Sequence, residues 1–283
     1  MTRVALIDHH LNNFHADTFL RLLHGPLAGL DVRVTTAWES DPAGDDWCAK
    51  QGVTRAASLE EAVASADAVM LLAPDNIDAH LALARRVLPA GKRTFIDKFL
   101  APTLAEAREI VELSARHAAP VFSSSALRYA VEVEAAVTEM AGAPVTECLA
   151  RGLSGWALYG VHSVAIATRL MGAGVRRVID TGTPSARTVT LDYGDGRRAV
   201  VDVRTATNEW DVFGWSFAAR VGDRYIAATV GDYDGFYANL MRRAAAFLTR
   251  GEVDMPVEEA LAVVGVIEGA ERSLARGGEW VTL

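Results

Sequence analysis

The feature that most constrains this chain is the alternation of short apolar runs with helically spaced segments across its first 123 residues. Val4-Ala5-Leu6-Ile7 and Ala68-Val69-Met70-Leu71-Leu72 are continuous apolar runs, the pattern of strands covered on both faces. Asp31 to Trp38, Arg93 to Asp97 and Pro120 to Ser123 read as further strands. Between them Phe14 to Leu23, Asp45 to Gln51, Ile77 to Leu88 and Thr103 to His117 are spaced as helices. Ser58 with Glu61, and Thr103 with Glu106, stand at capping-box spacing, so a helix begins at each. Strand and helix in turn predict a doubly wound parallel sheet joined by right-handed crossovers. Ligands then gather at the carboxyl ends of its strands.

Beyond residue 123 the rhythm changes. Leu127 to Met140 and Val161 to Met171 read as helices, the second ended by Gly172. Val145 to Leu153, Val178 to Thr181, Arg187 to Tyr193, Arg198 to Thr205, Trp215 to Val221 and Tyr225 to Val230 read as strands, with hairpin turn chemistry at Gly194-Asp195-Gly196 and Gly222-Asp223. Helices return at Tyr237 to Thr249 and Val257 to Arg276. The expectation is an α/β domain over residues 1–122 and an α+β domain over residues 123–283. The second domain would carry a large, mostly antiparallel open sheet. Such a face is suited to association, so a homodimer or homotetramer through it is expected.

Composition excludes several classes. The net charge of −8 without a basic block argues against nucleic acid as a partner. No apolar run approaches the roughly 18 residues a membrane span needs, and the N-terminus has no signal-peptide layout, so a cytoplasmic protein is expected. Two cysteines, Cys48 and Cys148, make no disulfide framework.

Chemistry is then sought at the strand ends. The first strand-to-helix turn of a dinucleotide-binding sheet carries G-x-G-x-x-G, but here it is Asp8-His9-His10-Leu11-Asn12-Asn13. Asp8, His10 and Asn13 stand where the glycines would. With Asn12 they are the candidate cofactor contacts, backed by the helix N-terminus. Glu39, after the second strand, is placed to read the ribose hydroxyls of NAD and to repel the extra phosphate of NADP; the alternative is a solvated loop acid. Ala73, Pro74 and Asn76 follow the third strand and would line the nicotinamide side, or form an ordinary turn. Lys98 ends the strand after Asp97, where a lysine binds an anion, relays a proton or simply faces solvent. His162 opens an apolar helix, a place that favours a neutral ring able to accept a proton; the alternative is a packed core histidine. His9, His10 and His15 lack metal-ligand spacing, and no metal is expected. Trp156, Trp210 and Trp215 could line a pocket or fill an interface.

Together these residues resemble the Gfo/Idh/MocA oxidoreductases. Asp97-Lys98-Phe99 stands for the family's Glu-Lys-Pro, and Leu100 to Ala107 is similar to its continuation. Tyr159-Gly160-Val161-His162, Gly235-Phe236-Tyr237 and the ending Glu268 to Gly278 also resemble family segments. The resemblance implies a Rossmann domain followed by an α+β domain, and NAD(P)-dependent hydride transfer at a hydroxyl-bearing carbon of a sugar-like substrate; Glu39 makes NADP the less favoured cofactor. It implies that Lys98 orients substrate and relays a proton. His162 would be the base, with Arg128 and Tyr159 on the substrate side and Asp97 beside the cofactor. The chain departs from the family in its glycine-free turn, in Phe99, in Leu158 where many members carry an aspartate, and in Ala165. Those departures keep two other readings open: proton-transfer chemistry without net redox, as in a lyase, isomerase or epimerase, and non-catalytic ligand sensing.

Overall fold

Six strands form the first sheet: β1 (Thr2–Asp8), β2 (Val32–Glu39), β3 (Thr54–Arg55), β4 (Ala68–Leu71), β5 (Thr94–Ile96) and β6 (Val121–Phe122). In the computed structural model, which describes residues 1–205 and 214–283, they lie in the order β3-β2-β1-β4-β5-β6. Every pairing is parallel. Val4 to Asp8 in β1 and all of β4 are buried, as covered strands must be. Each fully buried Val, Leu or Ile there contributes about 1.5–3 kcal/mol of transfer free energy. The strand order reverses between β1 and β4, and that switch point is the crevice where a doubly wound sheet binds ligands.

The connecting helices are α1 (Phe14–His24), α2 (Trp47–Gln51), α3 (Leu59–Ser65), α4 (Ala79–Val87) and α5 (Leu104–Arg116). Their starts follow the capping chemistry of the sequence. Ser58 Oγ accepts from Glu61 N at 3.1 Å, and Glu61 Oε2 accepts from Ala57 N at 2.9 Å. Thr103 Oγ1 likewise accepts from Glu106 N at 3.3 Å.

The second sheet holds seven strands: β7 (Val145–Leu153), β8 (Arg177–Asp180), β9 (Ala186–Asp192), β10 (Arg198–Arg204), β11 (Ser216–Val221), β12 (Arg224–Thr229) and β13 (Val281–Thr282). Their order is β12-β11-β7-β10-β9-β8-β13. Only the central pair β7–β10 is parallel among the described strands. Along β9 and β10 every second residue is buried, so one face is covered and the other is half-exposed. The helices of this half are α6 (Val131–Met140) and α7 (Trp156–Met171), followed by α8 (Tyr233–Arg250) and α9 (Val257–Ala275).

The chain divides into two units. One comprises Met1–Ser124 with Tyr237–Ala260, the other Ser125–Phe236 with Leu261–Leu283. Among the described residues, no helix is long and apolar enough to cross a membrane.

Three expectations need correcting. The helix read from Leu127 is a 3-10 turn, Ala126–Tyr129, followed by extended Ala130 and then α6. α8 begins at Tyr233 rather than Tyr237, because Asp232 Oδ1 accepts from Gly235 N at 2.7 Å and starts the helix ahead of the glycine. α7 begins at Trp156, not Val161. Gly160 lies within it, and a Cβ there would stand 2.8 Å from the Trp156 ring. Trp210 lies outside the described residues.

Candidate functional site

The first turn is organised by two carboxylates. Asp8 and Glu39 face each other across the β1–β2 ladder. Asp8 is buried, and its Oδ1 accepts from the backbone N–H of His9 at 2.7 Å, His10 at 3.3 Å and Ala73 at 3.0 Å. Its Oδ2 accepts from Asn13 Nδ2 at 2.9 Å. Burial is the main reason its pKa is pushed up to about 7; the Asn13, His9 and Ala73 donors pull the other way, and Asp97 adds to the rise. Glu39 is equally committed: Oε2 accepts from Leu11 N at 2.7 Å and Oε1 from Arg55 Nη1 at 2.9 Å.

The helix start is also taken. Asn13 Oδ1 caps α1 by accepting from Ala16 N at 2.9 Å. Asn12 Nδ2 donates to Ala43 O and Asp45 O at 2.7 and 2.8 Å, tying the turn to the loop after β2. His10 Nδ1 lies 2.5 Å from Asp41 O in the same loop. A glycine turn leaves its N–H groups bare for a pyrophosphate. Here the N–H groups of His9, His10 and Leu11 all serve the chain's own carboxylates, so the turn fits a dinucleotide less well than the strand ends beside it.

Those strand ends gather the other candidates. Ala73 follows β4 with φ of 50°, a left-handed conformation that a non-glycine residue holds only under structural compulsion. Its N–H bond to Asp8 and its carbonyl's acceptance from Asn76 N at 3.1 Å hold it there. Lys98 is buried, 5% exposed, with its Nζ donating to Pro74 O at 3.4 Å and its N–H to Asp97 Oδ1 at 2.8 Å. Burial lowers the Lys98 pKa, against the pull of Asp97 and Asp75. Asp97 is fully buried. Burial pushes its pKa up, but His15 by charge and hydrogen bond, with Lys98, holds it below the ordinary carboxylate value.

Two histidines that the sequence reading did not place now matter. His15 Nδ1 meets Asp97 Oδ2 at 2.5 Å, with its ring 5.6 Å from Tyr237 and 5.2 Å from Phe19. His80, on α4, is fully buried; its Nε2 lies 2.5 Å from Leu72 O and its Nδ1 3.0 Å from Phe99 O. It therefore ties the end of β4 to the turn that carries Lys98. A lone histidine on an apolar helix face gave no signal of this role.

The second unit holds His162, Ser125, Arg128, Tyr159 and Trp215. His162 is the seventh residue of α7, well inside the helix rather than at its start, contrary to the sequence expectation. Instead Ser125 Oγ lies 2.8 Å from His162 Nδ1. Tyr159 and Trp215 each hold their rings 5.6 Å from the imidazole. Arg128 is buried in the 3-10 turn that Ser125 caps. Trp156 is a core residue of α7, donating to Ile267 O at 3.3 Å.

Comparison with known proteins follows the same division. Residues 8–124 match the family model described as an oxidoreductase family with an NAD-binding Rossmann fold. No curated protein matches the chain by sequence. Among solved structures, GenD2 from gentamicin A biosynthesis, in complex with NAD, superposes with a TM-score of 0.82 at 17% identity, covering 100% of this chain and 96% of that one. Myo-inositol 2-dehydrogenase from Lactobacillus plantarum superposes with a TM-score of 0.80 at 13% identity, covering 100% and 99%. Scyllo-inositol dehydrogenase from Lactobacillus casei, with NAD(H) and scyllo-inositol bound, gives 0.80 at 13% identity over 100% and 99%. At these identities the likeness is one of fold.

Proposed function

We propose that this chain, whose residues 8–124 match the NAD-binding Gfo/Idh/MocA oxidoreductase model, is a dehydrogenase oxidising a secondary hydroxyl of a small polyhydroxylated substrate. The bound nicotinamide would supply the hydride acceptor. The chain's own residues would do the rest. His162, held at Nδ1 by Ser125, takes the hydroxyl proton. Lys98 orients the substrate oxygen and relays the proton, and Arg128 and Tyr159 serve binding. Oligomerisation through the half-exposed face of the second sheet completes the reading.

One observation carries it. Lys98 is a buried lysine with a lowered pKa at the carboxyl edge of a doubly wound sheet, flanked by a buried carboxylate–histidine pair. Such a group is arranged for proton traffic rather than for solvation. A second reading, proton transfer without net redox, is favoured by the Asp8 carboxyl seated on the turn's N–H groups. A titration with NADH and then NADPH, read by tryptophan-to-nicotinamide energy transfer, separates them. Saturable micromolar binding, tighter for NADH, followed by turnover of an inositol or another polyol supports the dehydrogenase. No binding of either dinucleotide shifts the weight to proton-transfer chemistry.

A further inference from the structure

We propose that His9, His10 and Asp41 form a binding site for a divalent first-row transition ion of the Zn2+ class. The three residues come from the turn after β1 and the loop after β2, 31 positions apart for His10 and Asp41. One donor atom from each lies within 4.8 Å of the others. The third ligand is thus the Asp41 carboxylate, while His15, the obvious third histidine in the sequence, is turned to Asp97.

The hydrogen bonding orients the set for a cation. Asp41 O is a carbonyl and only accepts, so a neutral His10 ring places its proton on Nδ1 and its lone pair on Nε2. That nitrogen faces Asp41 Oδ2 at 3.7 Å. In that tautomer both atoms present lone pairs, at a separation near the roughly 3.3 Å between neighbouring ligands of a tetrahedral zinc with bonds of about 2.0–2.1 Å. His9 is positioned by the same device, Nδ1 against Ser40 Oγ at 2.7 Å. Metal-bound histidines are oriented in this way by a partner on their other nitrogen. The second imidazole completes the argument: its ring centroid lies 4.2 Å from that of His10. Imidazole with a single carboxylate suits Zn2+, Co2+ or Ni2+, whereas Mg2+ and Ca2+ prefer all-oxygen sets. Three protein ligands leave one position open.

The test needs no dinucleotide and stands apart from the dehydrogenase reading. The full chain, freed of metal by chelation, is titrated with Zn2+ against a chromophoric chelator, and with Co2+ followed by visible absorption. One equivalent is expected to bind with a Kd on the order of 1 µM, well short of a four-ligand structural zinc. His10→Ala and His9→Ala should each weaken it at least roughly 100-fold. Ser40→Ala, which removes only an orienting partner, should weaken it about 10-fold. His117→Ala should leave it unchanged. Asp41→Asn guards against a folding artefact, because the Asp41 side chain is 66% exposed; it should bind as poorly as His10→Ala with an unaltered circular dichroism spectrum. No binding below millimolar Zn2+ means that a protonated His10 merely pairs with Asp41, and overturns the site. So does binding that survives both His10→Ala and Asp41→Asn.

Discussion

Asp8 does the work that a glycine turn leaves to a ligand. Its carboxylate takes the N–H groups of His9, His10 and Ala73, donors that would otherwise face the switch point of the sheet. A dinucleotide phosphate must compete with a tethered carboxylate already in place. Asp8→Gly is therefore expected to tighten NADH binding about tenfold, the value of losing one such competitor at 1.4 kcal/mol. Equal or weaker binding in the same energy-transfer titration would mean that the N–H groups are not the cofactor's. The functional groups carry a separate expectation. Lys98→Ala and His162→Ala should each lower kcat at least about 100-fold, the usual contribution of a positioned acid or base; an unchanged kcat removes that residue from the mechanism. The sequence placed Asp8 and Glu39 at the right strand ends, because strand ends are local. It did not show that both carboxylates fold back onto the turn, nor that His15 pairs with Asp97 82 positions away, because those partners are tertiary.

Elements carry the next level of constraint. The segment Tyr159-Gly160-Val161-His162 lies inside α7, and its glycine is there for a packing reason. A Cβ on Gly160 would stand 2.8 Å from the Trp156 ring, so Gly160→Ala should cost about 1–3 kcal/mol by overpacking. A urea midpoint unchanged by that substitution would show that Trp156 has room to move. The apolar spacing located this helix only from Val161, whereas it begins at Trp156. α4 offers a pH-dependent counterpart through His80. Burial lowers the His80 pKa, with the carbonyls of Leu72, Leu100 and Phe99 and the charge of Asp97 opposing it. Below about pH 6.5 the unfolded chain takes up a proton at this site that the folded chain refuses, so stability falls with falling pH. His80→Gln keeps a donor for the carbonyls and removes the titration. The stability lost between pH 7.5 and 5.5 should shrink in that variant, by at most about 1.4 kcal/mol per pH unit. Parallel losses in both proteins would assign the pH dependence to other groups.

At the scale of the whole molecule the chain is interleaved rather than split once. Residues Tyr237–Ala260 return to the unit built from Met1–Ser124 after more than a hundred intervening residues of the other unit. The sequence showed two helices near the C-terminus but had no means of saying which sheet they serve, since both units are covered by helices. What the return supplies is specific. Phe247 packs its ring 5.7 Å from Phe122, Tyr237 lies 5.6 Å from His15 and 6.1 Å from Phe19, and Arg93 donates to Leu248 O and Thr249 O at 3.3 and 3.2 Å. A fragment ending at residue 124 would expose Phe122 and the aromatic face of α1 and leave the Arg93 guanidinium without those carbonyls. Removing one large aromatic neighbour from a core typically costs about 3–5 kcal/mol, and two go at once here. That approaches the 5–15 kcal/mol that holds a domain together. The fragment 1–124 should therefore lack a cooperative urea transition, whereas 1–124 joined by a flexible linker to 237–260 should recover one. A cooperative transition in the bare fragment, with near-ultraviolet circular dichroism from its aromatic residues, would show that the returning helices cover a fold already complete without them.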